Sequence, residues 1–252
     1  MSRIVVLGAG GRAGRAVTAE ALGRGHEVTA VVRDPARYPD LAAPGVSVVR
    51  GDVTDVGSVR EVADGAVAGV HAVSPFSGPE QGFDALDPDF FVKAADALLT
   101  GLAGAGVRRL VTVGLFADLL GADGRPVMDD PSAFPPEIRP FALAHTAGLR
   151  RLREAVGSEV DWVMLTPGGG LDQDAPRTGR HRLGDERVPE GAPGLSYADL
   201  AVAVLNEIET PTQHRARVSV FVPRDIRSAE ERGTEERGTD ERGTDERGAE
   251  EG

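Results

Sequence analysis

An α/β fold with a doubly wound parallel sheet is what this chain of 252 residues predicts, and two observations carry it. The apolar run Ile4-Val5-Val6-Leu7 breaks at Gly8, Gly11 and Gly14, three glycines three apart, and continues into Arg15-Ala16-Val17-Thr18-Ala19-Glu20-Ala21-Leu22, a helix-forming stretch. Further short β-branched runs, each bounded by Gly, Pro or Asp, alternate with longer stretches of helical apolar spacing. There is no cysteine, so no disulfide, thiolate metal site or cysteine nucleophile takes part.

The opening unit reads as strand, tight turn and helix. Gly8 permits the turn, Gly11 leaves room for a pyrophosphate, Gly14 allows helix and strand to pack closely, and the helix N-terminus offers N–H groups to an anion. That is a dinucleotide-binding βα unit of Rossmann type. Residues 27–32 and 46–49 follow as the second and third strands. A fourth strand is expected to close at 72–74, with His71 at its start. Residues 89–102 form an amphipathic helix, 108–113 a fifth strand, 139–155 a helix and 161–165 a sixth strand. Ser196 has the place of an N-cap, with Asp199 in the first turn of an apolar helix running to Ile208, and 217–222 is the last strand. Five or six parallel strands emerge ahead of that last helix and strand, in a single domain over residues 1–224. The segment from 168 to about 195, rich in Gly, Pro, Arg and Asp, is expected to cover a substrate.

From Glu230 the chain repeats Glu-Arg-Gly-Thr-(Glu/Asp), with ten acids against four arginines. Half of the net charge of −12 therefore sits in a segment, 225–252, that can build no core and is expected to be disordered. An acidic chain with no basic face argues against nucleic acid as a partner. The first apolar run lacks a basic leader, and no eighteen apolar residues run together, so neither a signal peptide nor a membrane span is expected. The expected setting is the cytoplasm, as a monomer or homodimer with a small-molecule substrate. No metal site is expected.

The second strand normally ends in a carboxylate when the cofactor is NAD, because the ribose 2′-hydroxyl needs an acceptor. Here it ends in Arg33, nineteen residues after Gly14. A guanidinium at that place pairs with a 2′-phosphate and gains nothing from a bare hydroxyl, so NADP(H) is favoured over NAD(H). The alternative is a surface pair between Arg33 and Asp34. Arg12, inside the glycine loop, is a second candidate for the phosphate, and Asp52 stands where an adenine amino group would pass, unless it merely caps the next helix. The candidate cofactor residues are thus Gly8, Gly11, Arg12, Ala13, Gly14, Arg33, Asp52, Val53, Ser74 and Pro167.

The segments GAGGRAG, VVRDP, GDVTD, VRRLVTVG, VDWVMLTP, RTGRHRLG and SYADLAVAVLNEIETP follow one another from residue 1 to about 223. Together they resemble the atypical short-chain dehydrogenase/reductase superfamily, in particular its NAD(P)H-binding, NmrA-like and biliverdin-reductase-B-like group. The resemblance implies, for members that are reductases, a Tyr-x-x-x-Lys pair in which the tyrosine donates a proton and the lysine holds the ribose. This chain has no such pair. Its tyrosines are Tyr38 and Tyr197, followed four residues later by Ala42 and Ala201, and its one lysine, Lys93, is preceded four residues earlier by Asp89. Counting back from the sixth strand, Phe141 to His145 takes the motif's place; a register three residues away puts Ile138 and Arg139 there instead. The serine usual after the fifth strand is replaced by Gly114.

Phe141 can pack on a nicotinamide or a flat substrate, and His145, one helical turn on, can transfer a proton near neutral pH. The alternative for His145 is a histidine that only hydrogen-bonds within its helix. His26 and His71 are expected at the amino ends of strands, away from ligands; His181 lies in the cover segment, within reach of substrate, and His214 in a terminal turn. Three functions stay open at this point. One is an NADPH-dependent reductase of a conjugated carbonyl, quinone or flavin-like compound, which the missing tyrosine allows because such acceptors take a proton from solvent. Another is a non-redox cyclase, dehydratase or isomerase using His145 with Asp118 or Glu137. The third is an NmrA-like NADP(H) sensor without turnover.

Cutting the chain after Arg227 is expected to leave the melting temperature and cofactor affinity within error, since the repeats bring no apolar burial. A loss of several degrees in a thermal melt would contradict that.

Overall fold

The computed structural model describes residues 1–75, 86–191 and 194–222; the repeat tail expected from 225 lies outside these. Strand β1 (Arg3–Leu7) leads into helix α1 (Arg12–Gly23), then β2 (Glu27–Val32), β3 (Val46–Arg50), α2 (Val56–Val62) and β4 (Ala68–His71). The second half runs α3 (Phe90–Gly104), β5 (Arg109–Val113), α4 (Arg139–Glu154), β6 (Asp161–Pro167), β7 (Leu171–Asp172), β8 (Arg182–Leu183), β9 (Leu195–Ser196), α5 (Tyr197–Glu209) and β10 (Ala216–Phe221). The main sheet has the order β3-β2-β1-β4-β5-β6-β10-β8. It is parallel except for β8, which runs antiparallel to β10 at the edge. The expected α/β doubly wound architecture is therefore present, as one Rossmann-like unit over residues 1–222. The sheet is larger than five or six strands because β10 joins it in parallel beside β6 and the segment after β6 adds β8 at the edge.

Alternation along β1 explains why both faces are apolar. Ile4 and Val6 enter a core shared with Val17 and Ala21 of α1 and Leu200, Val204 and Leu205 of α5. Val5 and Leu7 enter a second core with Val59 of α2, Leu98 and Leu102 of α3 and Leu149 of α4. Strand order reverses between β1's two neighbours, β2 and β4, so the glycine loop after β1 opens at the switch point where dinucleotides bind in such sheets.

The fourth strand differs from expectation. It ends at His71, so His71 stands at the carboxyl end of β4, not at its start, and residues 72–74 lie beyond the strand. The strand opens with Ala68 and Gly69, small residues of weak strand propensity, and α3 lies close over it: a Cβ on Gly69 would meet the Leu102 side chain at 3.1 Å. The capping expectation for α5 holds, with the Ser196 hydroxyl accepting from the Asp199 N–H at 2.9 Å. Asp199 does more than sit in the first turn. Its buried carboxylate accepts from the N–H and hydroxyl of Thr178 and from the N–H of Gly179, which ties the segment after β6 to α5. At the opposite end of the sheet, buried Arg109 joins β5 to Asp161 of β6 and Glu207 of α5 at 2.7 and 2.8 Å.

Gly14 sits where α1 crosses the loop, and a Cβ there would lie 2.2 Å from the Gly8 carbonyl oxygen. Gly14→Ala is accordingly expected to cost about 1–3 kcal/mol of stability, the usual cost of overpacking, read as a clear drop in urea midpoint. An unchanged midpoint would show that α1 is free to shift.

Candidate functional site

At the switch point Gly8 adopts φ +89°, in the left-handed region, and its Cα faces the backbone of Ala72, so a Cβ would meet the Ala72 carbonyl at 2.6 Å. Gly11 is different in kind. It is exposed, and a Cβ on it would touch only the Gly8 carbonyl oxygen, at 3.5 Å, so the space above it is open. Gly11 is also the N-cap of α1, and no side chain caps that helix nor does an acid stand in its first turn. The first-turn N–H groups, those of Arg12 and Ala13, are left for an anionic group, which is the donor set a pyrophosphate needs. Arg15 and Tyr38 brace the loop from behind: the Arg15 Nε donates to the Gly10 carbonyl at 3.0 Å, its guanidinium lies 5.9 Å from the centre of the Tyr38 ring, and that ring packs on Gly10.

Arg33 emerges exposed one residue past β2 and has no hydrogen-bond or ion-pair partner among the described residues. The surface pair with Asp34 does not form, because the Asp34 carboxylate accepts from the Ala36 N–H and caps the turn Pro35–Arg37. Arg12 is likewise exposed on the loop. Asp52 is exposed and does not cap α2; Asp55 does, while Asp52 accepts from the N–H and hydroxyl of Thr54. Val53 is buried in the core beside α2. Ser74 is exposed beyond β4, and Pro167 is the buried last residue of β6, in register with Val220.

Four aromatic rings gather over the carboxyl ends of β4 and β5. Phe91 of α3 is central, with ring centres 4.5 Å from His145, 5.8 Å from Phe141 and 6.4 Å from His71. Phe141 and His145 share one face of α4, 6.4 Å apart, and both are buried. Of the two carboxylates considered for His145, the fold brings up Asp118, whose Oδ2 lies 3.1 Å from His145 Nδ1. Glu137 is exposed on the turn Pro136–Ile138. The other Asp118 oxygen accepts from the Thr146 hydroxyl at 2.8 Å. Arg217 of β10 donates to the Asp118 backbone carbonyl at 2.7 Å and pairs with Glu186, which also meets Arg153. There is no room for a serine after β5: a Cβ on Gly114 would lie 2.1 Å from the Thr166 hydroxyl.

Two residues of this cluster, Phe91 and His71, escape sequence reasoning. Phe91 reads as plain helix core, and His71 is misplaced with its strand. Burial first, and neighbouring His145 second, push the His71 pKa down to about 3. His181 is not part of the cluster. It lines a groove of about 330 Å³ with Leu183, Asn206, Glu207 and Glu209, beside α5. His26 and His214 are paired with Glu209 and Asp161. No group of three or more possible ligands for a metal ion occurs among the described residues, and no described helix is long and apolar enough to cross a membrane.

Residues 8–211 match the model of a family described as NAD(P)H-binding. A relative of the chain is the Bacillus subtilis protein YwnB, 32% identical over 227 residues that cover 86% of this chain and 97% of YwnB. Among solved structures, a candidate epimerase from Bacteroides thetaiotaomicron superposes with a TM-score of 0.75 at 32% identity, covering 88% of this chain and 98% of its own. A candidate NADH-flavin reductase from Streptococcus pneumoniae gives 0.72 at 26% identity, covering 88% and 100%.

Because His71 is held neutral when folded but titrates near the ordinary value of about 6.5 when unfolded, unfolding takes up a proton between that pH and about 3. The stability tied to this group is complete above pH 6.5 and is lost as the pH falls through that window. Urea unfolding at pH 6.5, 5.5 and 4.5 is expected to show a slope that His71→Leu makes shallower, by up to about 1.4 kcal/mol per pH unit. Equal slopes in the two proteins would exclude a neutral buried His71.

Proposed function

Because the chain belongs to the NAD(P)H-binding family, we propose that it is an NADPH-dependent oxidoreductase whose acceptor is a small conjugated carbonyl, quinone or flavin-like compound. The observation that carries the choice of cofactor is Arg33, exposed just past β2 with no partner among the described residues. In this topology that place borders the ribose 2′ position, and an unpaired guanidinium there favours a phosphate over a hydroxyl. The open space over Gly11 and the uncapped first turn of α1 fit the pyrophosphate, with Gly8 and Gly14 shaping the loop, and Arg12 adds charge near the 2′-phosphate. Asp52, Val53, Ser74 and Pro167 border the remaining length of the dinucleotide.

Bound NADPH would supply the two electrons. The chain's own part is to orient the acceptor and manage a proton. The aromatic cluster of Phe91 and Phe141, whose rings meet edge to face at 66°, gives an apolar wall, and residues 168–191, leaving the carboxyl end of β6, form a rim over the acceptor. His145, oriented by Asp118, is the proton donor; an acceptor with an extended conjugated system draws on water as well. The streptococcal neighbour described as an NADH-flavin reductase supports acceptors of this class. A second reading, proton transfer without net redox, draws on the Asp118–His145 contact and on the neighbour described as an epimerase.

Tryptophan-quenching titrations are expected to give tighter binding of NADPH than of NADH, with Arg33→Ala costing NADPH about 30- to 100-fold and NADH little. Equal affinities in the unmutated protein would overturn the cofactor choice. NADPH oxidation at 340 nm should be stimulated by quinones or flavins, and His145→Ala should lower kcat by about 100-fold. NADPH binding without turnover of any acceptor would point instead to a sensor or a non-redox enzyme.

A further inference from the structure

His145 borders a small cavity, about 20 Å³, whose other polar walls are His71 and Thr112. In the sheet register His71 of β4 stands beside Thr112 of β5, and both line the side facing α3 and α4. Thr112 is 1% exposed, and its hydroxyl has no hydrogen-bond partner among the described residues. A cavity of this size has room for a single water molecule. The remaining walls are apolar: Phe91, Leu98, Leu149 and Met164.

The hydrogen bonds around the two imidazoles define where their protons sit. The Val73 N–H points at His71 Nδ1 from 3.5 Å, a long contact that favours Nδ1 as the acceptor and Nε2 as the site of the ring proton in neutral His71. On His145 the arrangement is reversed. Its Nδ1 faces Asp118 Oδ2, and a carboxylate has no hydrogen to give, so Nδ1 carries the proton. Arg217 binds the Asp118 carbonyl and Glu186, and so leaves the Asp118 carboxylate to His145 and Thr146. The Nε2 of His145 thus remains for the cavity, where a hydroxyl and the Nε2–H of His71 are the polar groups on hand.

We propose that Asp118, Thr112 and His71 are positioning residues for His145: Asp118 holds it as the Nδ1–H tautomer, and the cavity pair of Thr112 and His71 holds the Nε2 edge through which it exchanges its proton. The proposal rests on the reading that His145 handles a proton during turnover, and it accounts for a buried hydroxyl and a buried neutral imidazole that the cofactor site does not use. The device replaces the Tyr-x-x-x-Lys pair with an imidazole whose bare Nε2 is set from behind by a carboxylate, takes up a proton from water and passes it on.

The chain has five histidines, few enough for ring-¹⁵N spectra of the full-length protein, with His145→Gln and His71→Leu giving the assignments. At pH 8 the wild type is expected to show a protonated Nδ1 and an unprotonated Nε2 on His145. Asp118→Asn should shift the ring to the Nε2–H form or to a mixture, and lower kcat at least tenfold while the NADPH KM stays within about twofold. Thr112→Val, of equal shape, should leave the tautomer in place and move the Nε2 resonance. A wild-type His145 protonated on Nε2, or an Asp118→Asn spectrum identical to wild type, would overturn the proposal. The wild-type spectrum alone decides the tautomer should the variant not fold. Loss of the tautomer without any change in kcat would instead overturn the role of His145 in turnover, and leave the assignment of its proton standing.

Discussion

The contact on which the rest depends is the approach of α1 to the end of β1, where the Gly8 carbonyl oxygen lies so close to Gly14 that no Cβ fits between them. Gly8 is in turn wedged against the backbone at Ala72, one residue beyond β4. Three pieces of main chain therefore meet at the switch point without side chains to separate them. Because α1 is docked there, its first turn is aimed outward over Gly11, and the remaining length of α1 is free to pack Val17 and Ala21 against α5. The uncapped, outward-facing end of α1 and one of the two cores are thus consequences of the same close packing.

What could be read from the sequence was what is local. The glycine loop, the alternation of β1 and the Ser196 cap each involve residues within a turn of one another, and the structure has all three. The end of β4 could not be read in the same way, because Gly69 fits under Leu102, thirty-three residues on, and has little strand propensity of its own. With the strand displaced, His71 is expected at the amino end of β4 instead of the carboxyl end. The edge strand β8 has two residues, too few for any periodicity, and exists only through its pairing with Phe221 and Val220. The separation of Asp34 from Arg33 follows from a short turn begun by Pro35, a signal that was present and weaker than the attraction of opposite charges in neighbouring positions.

The aromatic cluster shows the limit most plainly. Phe141 and His145 are helical neighbours, but Phe91, His71 and Asp118 join them from three other places in the chain. The choice of Asp118 over Glu137 depends on the turn after β5 passing beneath α4, while Glu137 stays outside on the turn before it. Spacing along the chain carries no trace of that difference; burial does, since a carboxylate taken out of water needs a donor and His145 and Thr146 are the donors within reach.

The grip of Asp199 on Thr178 and Gly179 has a bearing on how this fold tolerates change. The excursion between β6 and α5 is long for a connection in such a sheet, and closing it costs entropy that grows only with the logarithm of its length. A single buried carboxylate, anchored at the start of the helix that ends the excursion, splits it into two shorter spans, each closed on its own. The Arg177 to Glu20 pair fastens the same point to α1. Insertions within either span then add little to the closure cost, so the excursion can be lengthened or rewritten while the anchor, and the sheet beneath it, stay as they are.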